Sequence, residues 1–371
     1  MIFSVDPVPL MQLALQHARQ GEGHVEPNPM VGAVVATPDG TVISTGYHQG
    51  FGGAHAEINA IQTAGAATVG NDLYVTLEPC NHFGKTPPCA DAVIRAGIRR
   101  VFVGCQDPAP HVAGQGIQRL RAAGLEVTVG VCESEARRLI APFEMLMLQC
   151  RPWVHAKWAM TLDGRIASRT GHSKWISSDA SRALVHQLRG RMDAIITGAG
   201  TVRSDDPLLT ARPAGSRTPL RVVIDGDGSS LHRDTNLVKS LSETPVLVCV
   251  ADDLATNELE RLRSLGIEVM ACAVGEPGRV DLHAVMAELG RRGCTNVLTE
   301  AGPRILGSLF DSSLIDEVHI FIAPRLIGGA SARGPIEGLG REKITAMPNV
   351  KHSRQTMIGD DLLIEGDVCR E

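Results

Sequence analysis

The sequence has few aromatic residues, no long apolar run and no excess of basic charge. Tyr, Trp and Phe make up only 3% of its 371 residues, whereas single-strand nucleic-acid binders need rings on which bases can stack. The formal net charge of −5 also argues against a nucleic-acid binder, which usually has a basic surface. No uncharged apolar run approaches the roughly 18 residues that cross a bilayer, and the N-terminus lacks the pattern of a signal peptide. We therefore expect a cytoplasmic protein that binds neither nucleic acid nor membrane.

The nine cysteines show no disulfide framework. Their odd number and irregular spacing favour a reducing compartment. A chain of 371 residues exceeds the usual size of a single hydrophobic core, so two domains are expected. Arg151-Pro152 breaks a helix predicted over residues 133–148. We place the two domains at residues 1–149 and 150–371.

Both predicted domains alternate strand and helix patterns, which indicates α/β folds. In the first, the alternation predicts a three-layer arrangement, with a hairpin turn at Pro38-Asp39-Gly40. Its strands are expected at residues 31–36, 42–47, 72–77, 100–104 and 125–129, and its helices at 9–19, from near 55, at 89–96 and at 133–148. In the second, strands are expected at 153–160, 193–197, 221–225, 246–250, 296–299 and 317–322, and helices at 178–191, 258–265, 281–292 and 303–312.

The most specific pattern is His55-Ala56-Glu57 followed by Glu78-Pro79-Cys80 and Cys89. A histidine and two thiolates can hold Zn²⁺ with a fourth position open for water, whose pKa the metal lowers toward ~7. Glu57 is not a ligand in this scheme and can carry protons, as in the zinc nucleobase deaminases. The pattern predicts hydrolytic deamination, with His55, Cys80 and Cys89 as the metal ligands.

The spacing between the cysteines departs from the common P-C-x-x-C motif, because residues 81–88 separate Cys80 from Cys89. Zinc tolerates this if the segment loops out and Cys89 begins a helix. Two alternatives stay open: a closed structural zinc site with His82 as fourth ligand, and a buried histidine beside two core cysteines. Glu57 and the apolar run that leads into Cys80 favour the catalytic interpretation.

Two glycine-bearing turns in the second half each follow a predicted strand: Gly198-Ala199-Gly200-Thr201 and Glu300-Ala301-Gly302-Pro303. Such turns expose backbone N–H groups to which a phosphate can bind, and Pro303 suits the first position of a helix. Neither is the G-x-G-x-x-G fingerprint, so each is also compatible with a plain structural turn.

The chain resembles the bifunctional deaminase-reductases of riboflavin biosynthesis over essentially its whole length. In the first half the matching residues are 27–32, His48, His55 to Glu57, the run YVTLEPCNHFGKTPPC from Tyr74 to Cys89, and Asp107-Pro108. In the second half they are Lys157 and residues 162–164, 173–176, 200–202, 205–210, 300–303 and 323–324.

The resemblance implies a cytidine-deaminase-like three-layer domain and a second domain similar to dihydrofolate reductase. It implies one Zn²⁺ per chain and NADPH as cofactors, a homo-oligomer, and a phosphorylated pyrimidine as substrate. The first domain would deaminate 2,5-diamino-6-(5-phosphoribosylamino)pyrimidin-4(3H)-one. The second would then reduce the ribosyl group to give 5-amino-6-(5-phosphoribitylamino)uracil.

The resemblance also implies roles for individual residues. In the deaminase domain Glu57 would be catalytic, and Asn28, His48, Lys85 and Asp107 would bind substrate, with an ordinary loop charge as the less favoured alternative for Lys85. In the reductase domain the catalytic residues would be Lys157, Asp205 and Glu300. Ser173, Arg189, Leu209, Arg212 and again Glu300 would bind substrate. The cofactor residues would be Ala159, Trp175, Thr201, Asp205, Asp225, Gly302, Pro303, Arg304, Ile305, Leu306, Gly307 and Ser308.

Other functions stay open at this level. The second domain could be non-catalytic, the protein could edit nucleic acid, or it could be a zinc-stabilised binding module with a decayed cofactor domain. The connector at residues 139–150 lacks the asparagine and basic residues often found between the two domains of the family, which leaves the domain interface and the oligomer geometry undetermined.

Overall fold

The computed structural model describes residues 6–81, 87–110, 112–273 and 279–369, and the chain divides into two compact units at Cys150/Arg151. The sequence placed this division one residue earlier. Within the described ranges, no helix is both long and apolar enough to cross a bilayer.

The first unit is built around a five-stranded sheet with the strand order β2-β1-β3-β4-β5. Its elements in chain order are α1 (Val8–Ala18), β1 (Gly32–Ala36), β2 (Val42–Tyr47), α2 (Ala56–Ala64), β3 (Asp72–Leu77), α3 (Cys89–Arg95), β4 (Arg100–Cys105), α4 (Gln115–Ala122), β5 (Glu126–Val129) and α5 (Glu133–Gln149). Strand β1 is antiparallel to β2 and β3, whereas β3, β4 and β5 are parallel.

Side-chain alternation along β1 explains why this sheet is covered on both faces. Val34 and Ala36 pack in one apolar cluster with residues of α1 and α5. Ala33 and Val35 pack in a second cluster with residues of α2, α3 and α4. The three-layer prediction is therefore confirmed.

The second unit is built around a nine-stranded sheet with the order β10-β9-β8-β7-β11-β6-β12-β14-β13. Its elements are β6 (Trp153–Thr161), α6 (Asp179–Arg189), β7 (Ala194–Gly198), α7 (Ala199–Asp205), β8 (Leu220–Ile224), α8 (Asn236–Lys239), β9 (Val246–Ala251), α9 (Thr256–Ser264), β10 (Glu268–Cys272), α10 (Leu282–Arg291), β11 (Asn296–Thr299), α11 (Pro303–Asp311), β12 (Glu317–Ala323), β13 (Val350–Ile358) and β14 (Asp361–Val368).

The seven strands from β10 to β12 run parallel, and the hairpin β13/β14 closes the sheet in antiparallel fashion. Since β7, β11 and β6 are neighbours, their carboxyl ends meet at one edge of the sheet. Ligands of open parallel sheets bind at this edge.

The hairpin β13/β14 and the edge strand β10 had no counterpart in the sequence prediction. Strand β13 is exposed along almost its whole length, so no alternation of apolar and polar residues marks it. Strand β10 is short and only Cys272 in it is buried. The glycine turn at Gly198 also differs from expectation, because it leads directly into the seven-residue helix α7.

Candidate functional site

Three metal-ligating side chains converge in the first unit. His55 immediately precedes α2, Cys80 follows β3, and Cys89 is the first residue of α3. His55 Nδ1 lies 3.2 Å from Cys89 Sγ and 3.7 Å from Cys80 Sγ. Tetrahedral zinc bonded to nitrogen and sulfur requires edges of about 3.5 Å between such atoms. The three side chains therefore fit zinc as protein ligands, and the alternative ligand His82 lies outside the described residues.

The two thiols interact closely with each other and with His55. The hydrogen bond from the Cys89 side chain lowers the pKa of Cys80 to about 4, and that between Cys80 and His55 raises the pKa of His55. The Cys89 backbone N–H also donates to Cys80 Sγ at 3.4 Å. Cys80 is thus held as a thiolate, the form that binds zinc.

Glu57 lies in the first turn of α2 and is 3% exposed. Burial raises the pKa of its carboxyl to about 7, although the nearby His55 opposes this shift. A carboxyl group with a pKa near neutrality can both accept and donate a proton at physiological pH. Glu57 therefore has the environment of a proton carrier and lies beside the metal ligands rather than among them.

A cavity of about 360 Å³ opens next to these residues. Its walls include Asn28, Pro29, Val31, His48, Phe51, Gly52, Gly53, His55, Glu57, Leu77, Glu78, Cys80, Asp107, Ala109, Val112, Phe143 and Met147. Of the four expected substrate residues, Asn28, His48 and Asp107 line the cavity, and Lys85 lies outside the described residues.

His48 fixes the orientation of Asn28. Its Nδ1 donates to the carbonyl oxygen of Ala54 at 3.0 Å, so its Nε2 accepts from Asn28 Nδ2 at 3.1 Å. Burial lowers the pKa of His48, which keeps the ring neutral and preserves this pattern. The Asn28 amide is therefore held in a single orientation before a polar ligand binds.

Glu78 holds the loop that carries Asp107, a role that sequence reasoning missed. Its buried carboxylate accepts hydrogen bonds from the backbone N–H groups of Asp107, Gly114, Gly116 and Ile117 at 2.8–3.2 Å. The Asp107 side chain in turn accepts from the Ala109 N–H at 2.8 Å. Glu78 thus positions one wall of the cavity, and its place in the Glu-Pro-Cys motif was the available signal.

Helix α5 contributes an apolar wall that the sequence did not predict. Phe143 and Met147 from this helix line the cavity, although the segment stood out only by its departure from the family pattern. The same cavity is also lined by the polar residues Asn28, His48 and Asp107.

In the second unit, Glu300 joins two cations at the carboxyl end of β11. Arg189 donates from Nε and Nη2 to the two oxygens of Glu300 at 2.5 and 3.0 Å, and Lys157 Nζ lies 3.8 Å from Glu300 Oε2. Burial raises the pKa of Glu300, but Arg189 and Lys157 outweigh this effect and hold the pKa at about 2. Burial lowers the pKa of Lys157, and Arg189 adds to that effect.

The expected cluster of Lys157, Asp205 and Glu300 is therefore assembled in part. Lys157 and Glu300 are in contact. The Asp205 carboxylate instead lies 3.5 Å from Lys174 Nζ, which also donates to the Asp205 carbonyl at 3.3 Å. Arg189, expected to bind substrate, directs two of its donors to Glu300.

The two glycine-bearing turns lie side by side. A Cβ placed on Gly302 would lie 3.8 Å from Thr201 Oγ1, and one on Gly198 would lie 2.9 Å from Ile305 Cγ1. Their spacing follows from the pairing of β7 with β11. Helices α7 and α11 thus begin next to each other, with backbone N–H groups near the same edge of the sheet.

Of the residues from Gly302 to Ser308 that are expected to bind the cofactor, only some offer a backbone N–H group to a ligand. Pro303 has no N–H, and the Leu306 N–H already donates to the Gly302 carbonyl, so Arg304 and Ile305 carry the N–H groups available at the helix start. Leu306 is fully buried. Gly307 packs against the Glu337 backbone, and the Ser308 hydroxyl donates to the Arg304 carbonyl. The first turn of α11 fits a diphosphate, whereas the last three residues support the helix.

The remaining expected residues occupy varied environments. The side chain of Leu209 is buried. Arg212 is exposed, and its Nη2 lies 3.4 Å from His186 Nε2. Trp175 is 63% exposed with Arg182 4.6 Å above its ring. Asp225 accepts from the Ser230 N–H and hydroxyl. Ser173 and Ala159 are partly buried.

Comparisons with family models match both units. Residues 7–105 match the cytidine and deoxycytidylate deaminase zinc-binding region, which contains His55, Cys80, Cys89 and Glu57. Residues 152–364 match the RibD C-terminal domain. The two matches occur in the same order as the two units.

Whole-chain relatives give the same result. The chain is 40% identical to the riboflavin biosynthesis protein RibD of Actinobacillus pleuropneumoniae over 96% of this chain and 93% of that protein. It is 37% identical to the protein of the same name from Escherichia coli K12, over 95% and 97% of the two chains. The Acinetobacter baumannii RibD structure matches with a TM-score of 0.83 and 33% identity over 98% of both chains.

A further solved structure carries a fuller description. It is a Thermotoga maritima protein described as a diaminohydroxyphosphoribosylaminopyrimidine deaminase/5-amino-6-(5-phosphoribosylamino)uracil reductase. It matches with a TM-score of 0.81 and 34% identity over 97% of this chain and 98% of that chain. The predicted fold class, zinc-binding deaminase domain and reductase domain are therefore confirmed.

Proposed function

Because the chain belongs to the RibD family of riboflavin biosynthesis proteins, we propose that it catalyses two consecutive reactions on one phosphorylated pyrimidine. The first unit deaminates 2,5-diamino-6-(5-phosphoribosylamino)pyrimidin-4(3H)-one. The second unit reduces the ribosyl group of the product with NADPH to give 5-amino-6-(5-phosphoribitylamino)uracil. The observation that carries the proposal is the zinc-ligating trio beside buried Glu57, in one chain with a complete reductase unit.

In the deamination, His55, Cys80 and Cys89 hold the metal. Zinc, when bound, lowers the pKa of a water molecule toward ~7 and so supplies a nucleophile at neutral pH. Glu57 would accept the two protons of such a water one after the other, while the water oxygen becomes bonded to the ring carbon that bears the amino group. It then passes one proton to the ring nitrogen and one to the departing amine, which leaves as ammonia.

The rest of the cavity orients the pyrimidine. The preset amide of Asn28 and the carboxylate of Asp107 are suited to the polar edges of the ring or the sugar, and Glu78 keeps Asp107 in place. Phe143 and Met147 give the flat face of the ring an apolar contact and exclude water. Lys85 is proposed to bind the phosphate group.

In the reduction, bound NADPH would be the source of the hydride that C1 of the sugar receives. Lys157 donates a proton to the sugar oxygen that separates from C1, since its lowered pKa makes the ammonium group a better acid. Glu300 holds Lys157 and Arg189 close together. Asp205, Ser173, Leu209 and Arg212 complete the proposed substrate contacts.

The cofactor is proposed to lie along the edge formed by β7, β11 and β6. The N–H groups of Arg304 and Ile305 at the start of α11 are suited to the diphosphate, with Thr201 beside them. Ala159, Trp175 and Asp225 are proposed to line the rest of the cofactor site.

We also propose self-association and a cytoplasmic location. The segment 326–357 exposes Leu326, Leu339, Ile344, Met347 and Met357, each at least 53% exposed, and a second copy could cover them. All nine cysteines are free thiols, which fits a reducing compartment. Light scattering coupled to size-exclusion chromatography tests the first point, because a monomer at micromolar concentration would contradict it.

The central test of the deaminase is Glu57→Gln. The substitution keeps the shape of the side chain but removes its ability to carry a proton, so ammonia release should fall by about 10²- to 10⁴-fold. The zinc content should stay at one per chain. Glu133→Gln on the exposed face of α5 is the matched control and should leave both unchanged. Loss of zinc in Glu57→Gln would assign Glu57 a structural role instead.

A further inference from the structure

A second group of potential metal ligands lies in the reductase unit. His155 is on β6, and Glu317 and His319 are on β12, which is the parallel neighbour of β6. In the strand register, His155 is opposite Glu317. The two histidines are 8% and 3% exposed, so the group is largely shielded from solvent.

The two imidazole nitrogens lie close together, and each is near a different oxygen of Glu317. His155 Nδ1 lies 3.1 Å from His319 Nε2 and 3.4 Å from Glu317 Oε2, and His319 Nε2 lies 3.5 Å from Glu317 Oε1. Metal–nitrogen and metal–oxygen bonds of about 2.0–2.2 Å in tetrahedral geometry give edges of about 3.3 Å. One ion can therefore touch all three side chains with little movement.

In each imidazole, the nitrogen that points away from the other ring makes a hydrogen bond, and this bond shows which of the two ring nitrogens is protonated. His319 Nδ1 lies 3.1 Å from Glu365 Oε1, and a carboxylate only accepts, so Nδ1 is the protonated nitrogen. His155 Nε2 lies 3.1 Å from Asn296 Oδ1, and the Asn296 amide is oriented by donating to Thr295 Oγ1. Nε2 is therefore the protonated nitrogen of His155.

This arrangement leaves His155 Nδ1 and His319 Nε2 facing each other as two lone pairs, with the Glu317 carboxylate beside them. The two nitrogens lie 3.1 Å apart and each has one oxygen of Glu317 within 3.5 Å, so the group favours a positive charge between its members. Metal-bound histidines in proteins usually donate their other N–H to a carboxylate or carbonyl oxygen, as both do here. Trp153 Nε1 donates to Glu317 Oε2 at 3.2 Å and orients that carboxylate.

We propose that His155, Glu317 and His319 form a second metal site, which takes a divalent cation of the first transition series and for which Co²⁺ is the probe ion. Two imidazoles and one carboxylate suit this class of ion better than Ca²⁺ or Mg²⁺. Arg354 pairs with Glu365, the carboxylate that accepts from His319 Nδ1, whereas Glu317 is the carboxylate within 3.5 Å of both facing nitrogens. Because it has no thiolate ligand, this site should bind zinc and similar ions more weakly than the thiolate site of the deaminase.

The position of the site gives it a structural role in the reductase. The ion joins β6 to β12, and the outer hydrogen bonds extend this link to β11 and β14. Lys157 lies two residues after His155 and opposite His319 in the strand register. Metal binding would therefore stiffen the strand pair that carries Lys157 and raise the unfolding temperature of this unit.

Cobalt titration of the metal-stripped full chain tests the proposal. The first equivalent should give the thiolate-to-cobalt charge-transfer band of the Cys80 and Cys89 site. A second equivalent should add visible d–d absorption without that band, because its ligands are nitrogen and oxygen. Saturation at one equivalent would overturn the proposal, since a proton shared between the two imidazoles would then fill the gap.

Variants then assign the second equivalent. Cys80→Ser/Cys89→Ser should still bind one cobalt ion without a thiolate band, and should still gain thermal stability from it. His319→Gln and Glu317→Gln should each weaken the second equivalent by at least tenfold and leave the first intact. His283→Gln, at an exposed histidine on α10, is the matched control and should bind two. A second equivalent that survives both His319→Gln and Glu317→Gln unchanged would also refute the site.

Discussion

Replacing Glu300 by Gln should destabilise the reductase unit in a way that depends on pH. Glu300 is 10% exposed in its side chain and bonds Arg189 through both oxygens, with Lys157 nearby. Removing one partner of such a buried pair leaves uncompensated charge, which costs about 3–5 kcal/mol. The pKa of the carboxyl gives a similar figure, because a fall from 4.5 to about 2 corresponds to about 3 kcal/mol at neutral pH.

The sign of the pH dependence follows from the direction of that shift. Since the pKa of Glu300 is lowered on folding, its contribution is fully present above about pH 5 and is lost as the pH falls toward 2. The difference in unfolding free energy between the two proteins should therefore shrink by about 2 kcal/mol between about pH 7 and about pH 3.

Tryptophan fluorescence in a urea titration is the appropriate assay. The three tryptophans, Trp153, Trp158 and Trp175, all lie in the second unit, so the signal reports that unit separately. Glu268→Gln is the control, because Glu268 is 53% exposed in its pair with Arg292 and should contribute about 0–1 kcal/mol. A difference below 1 kcal/mol for Glu300→Gln, constant with pH, would refute the buried ion triad.

Three further predictions concern the deaminase unit. Glu78→Gln offers one acceptor oxygen to four backbone N–H groups, so it should destabilise the unit by about 2–4 kcal/mol and slow ammonia release without loss of zinc, as thermal unfolding and metal analysis would show. Phe143→Ala removes part of the apolar wall and should raise the KM of deamination about fivefold, whereas Leu148→Ala, absent from the cavity wall, should not. Cys80→Ser should abolish both zinc retention and ammonia release. The variant should still oxidise NADPH when it is supplied with substrate that is already deaminated.

The sequence predicted the parts of the fold whose signal is local. The apolar run before Cys80 predicted β3 to the residue, and Pro303 correctly marked the start of α11. The hairpin β13/β14 was missed because the β13 side chains lie in solvent and carry no alternation. Its strands are recognisable only through pairing with β12, which is a non-local property.

The candidate site was predictable to the same extent. The motif placed His55, Cys80, Cys89 and Glu57 together because each is tied to an adjacent helix or strand. The partners of Glu300 were not predictable, since Arg189 is 111 residues away in sequence and meets Glu300 only in the folded chain. The same holds for Glu78 and for the pair His155/His319, whose contacts span 29 to 164 residues.

The most direct test of the account measures ammonia release and NADPH oxidation by the zinc-loaded full chain, given freshly generated 2,5-diamino-6-(5-phosphoribosylamino)pyrimidin-4(3H)-one under anaerobic conditions. We predict ammonia release with or without NADPH, and NADPH oxidation only after deamination. Ammonia release without any NADPH oxidation would contradict the reductase assignment. The absence of ammonia would contradict the central claim.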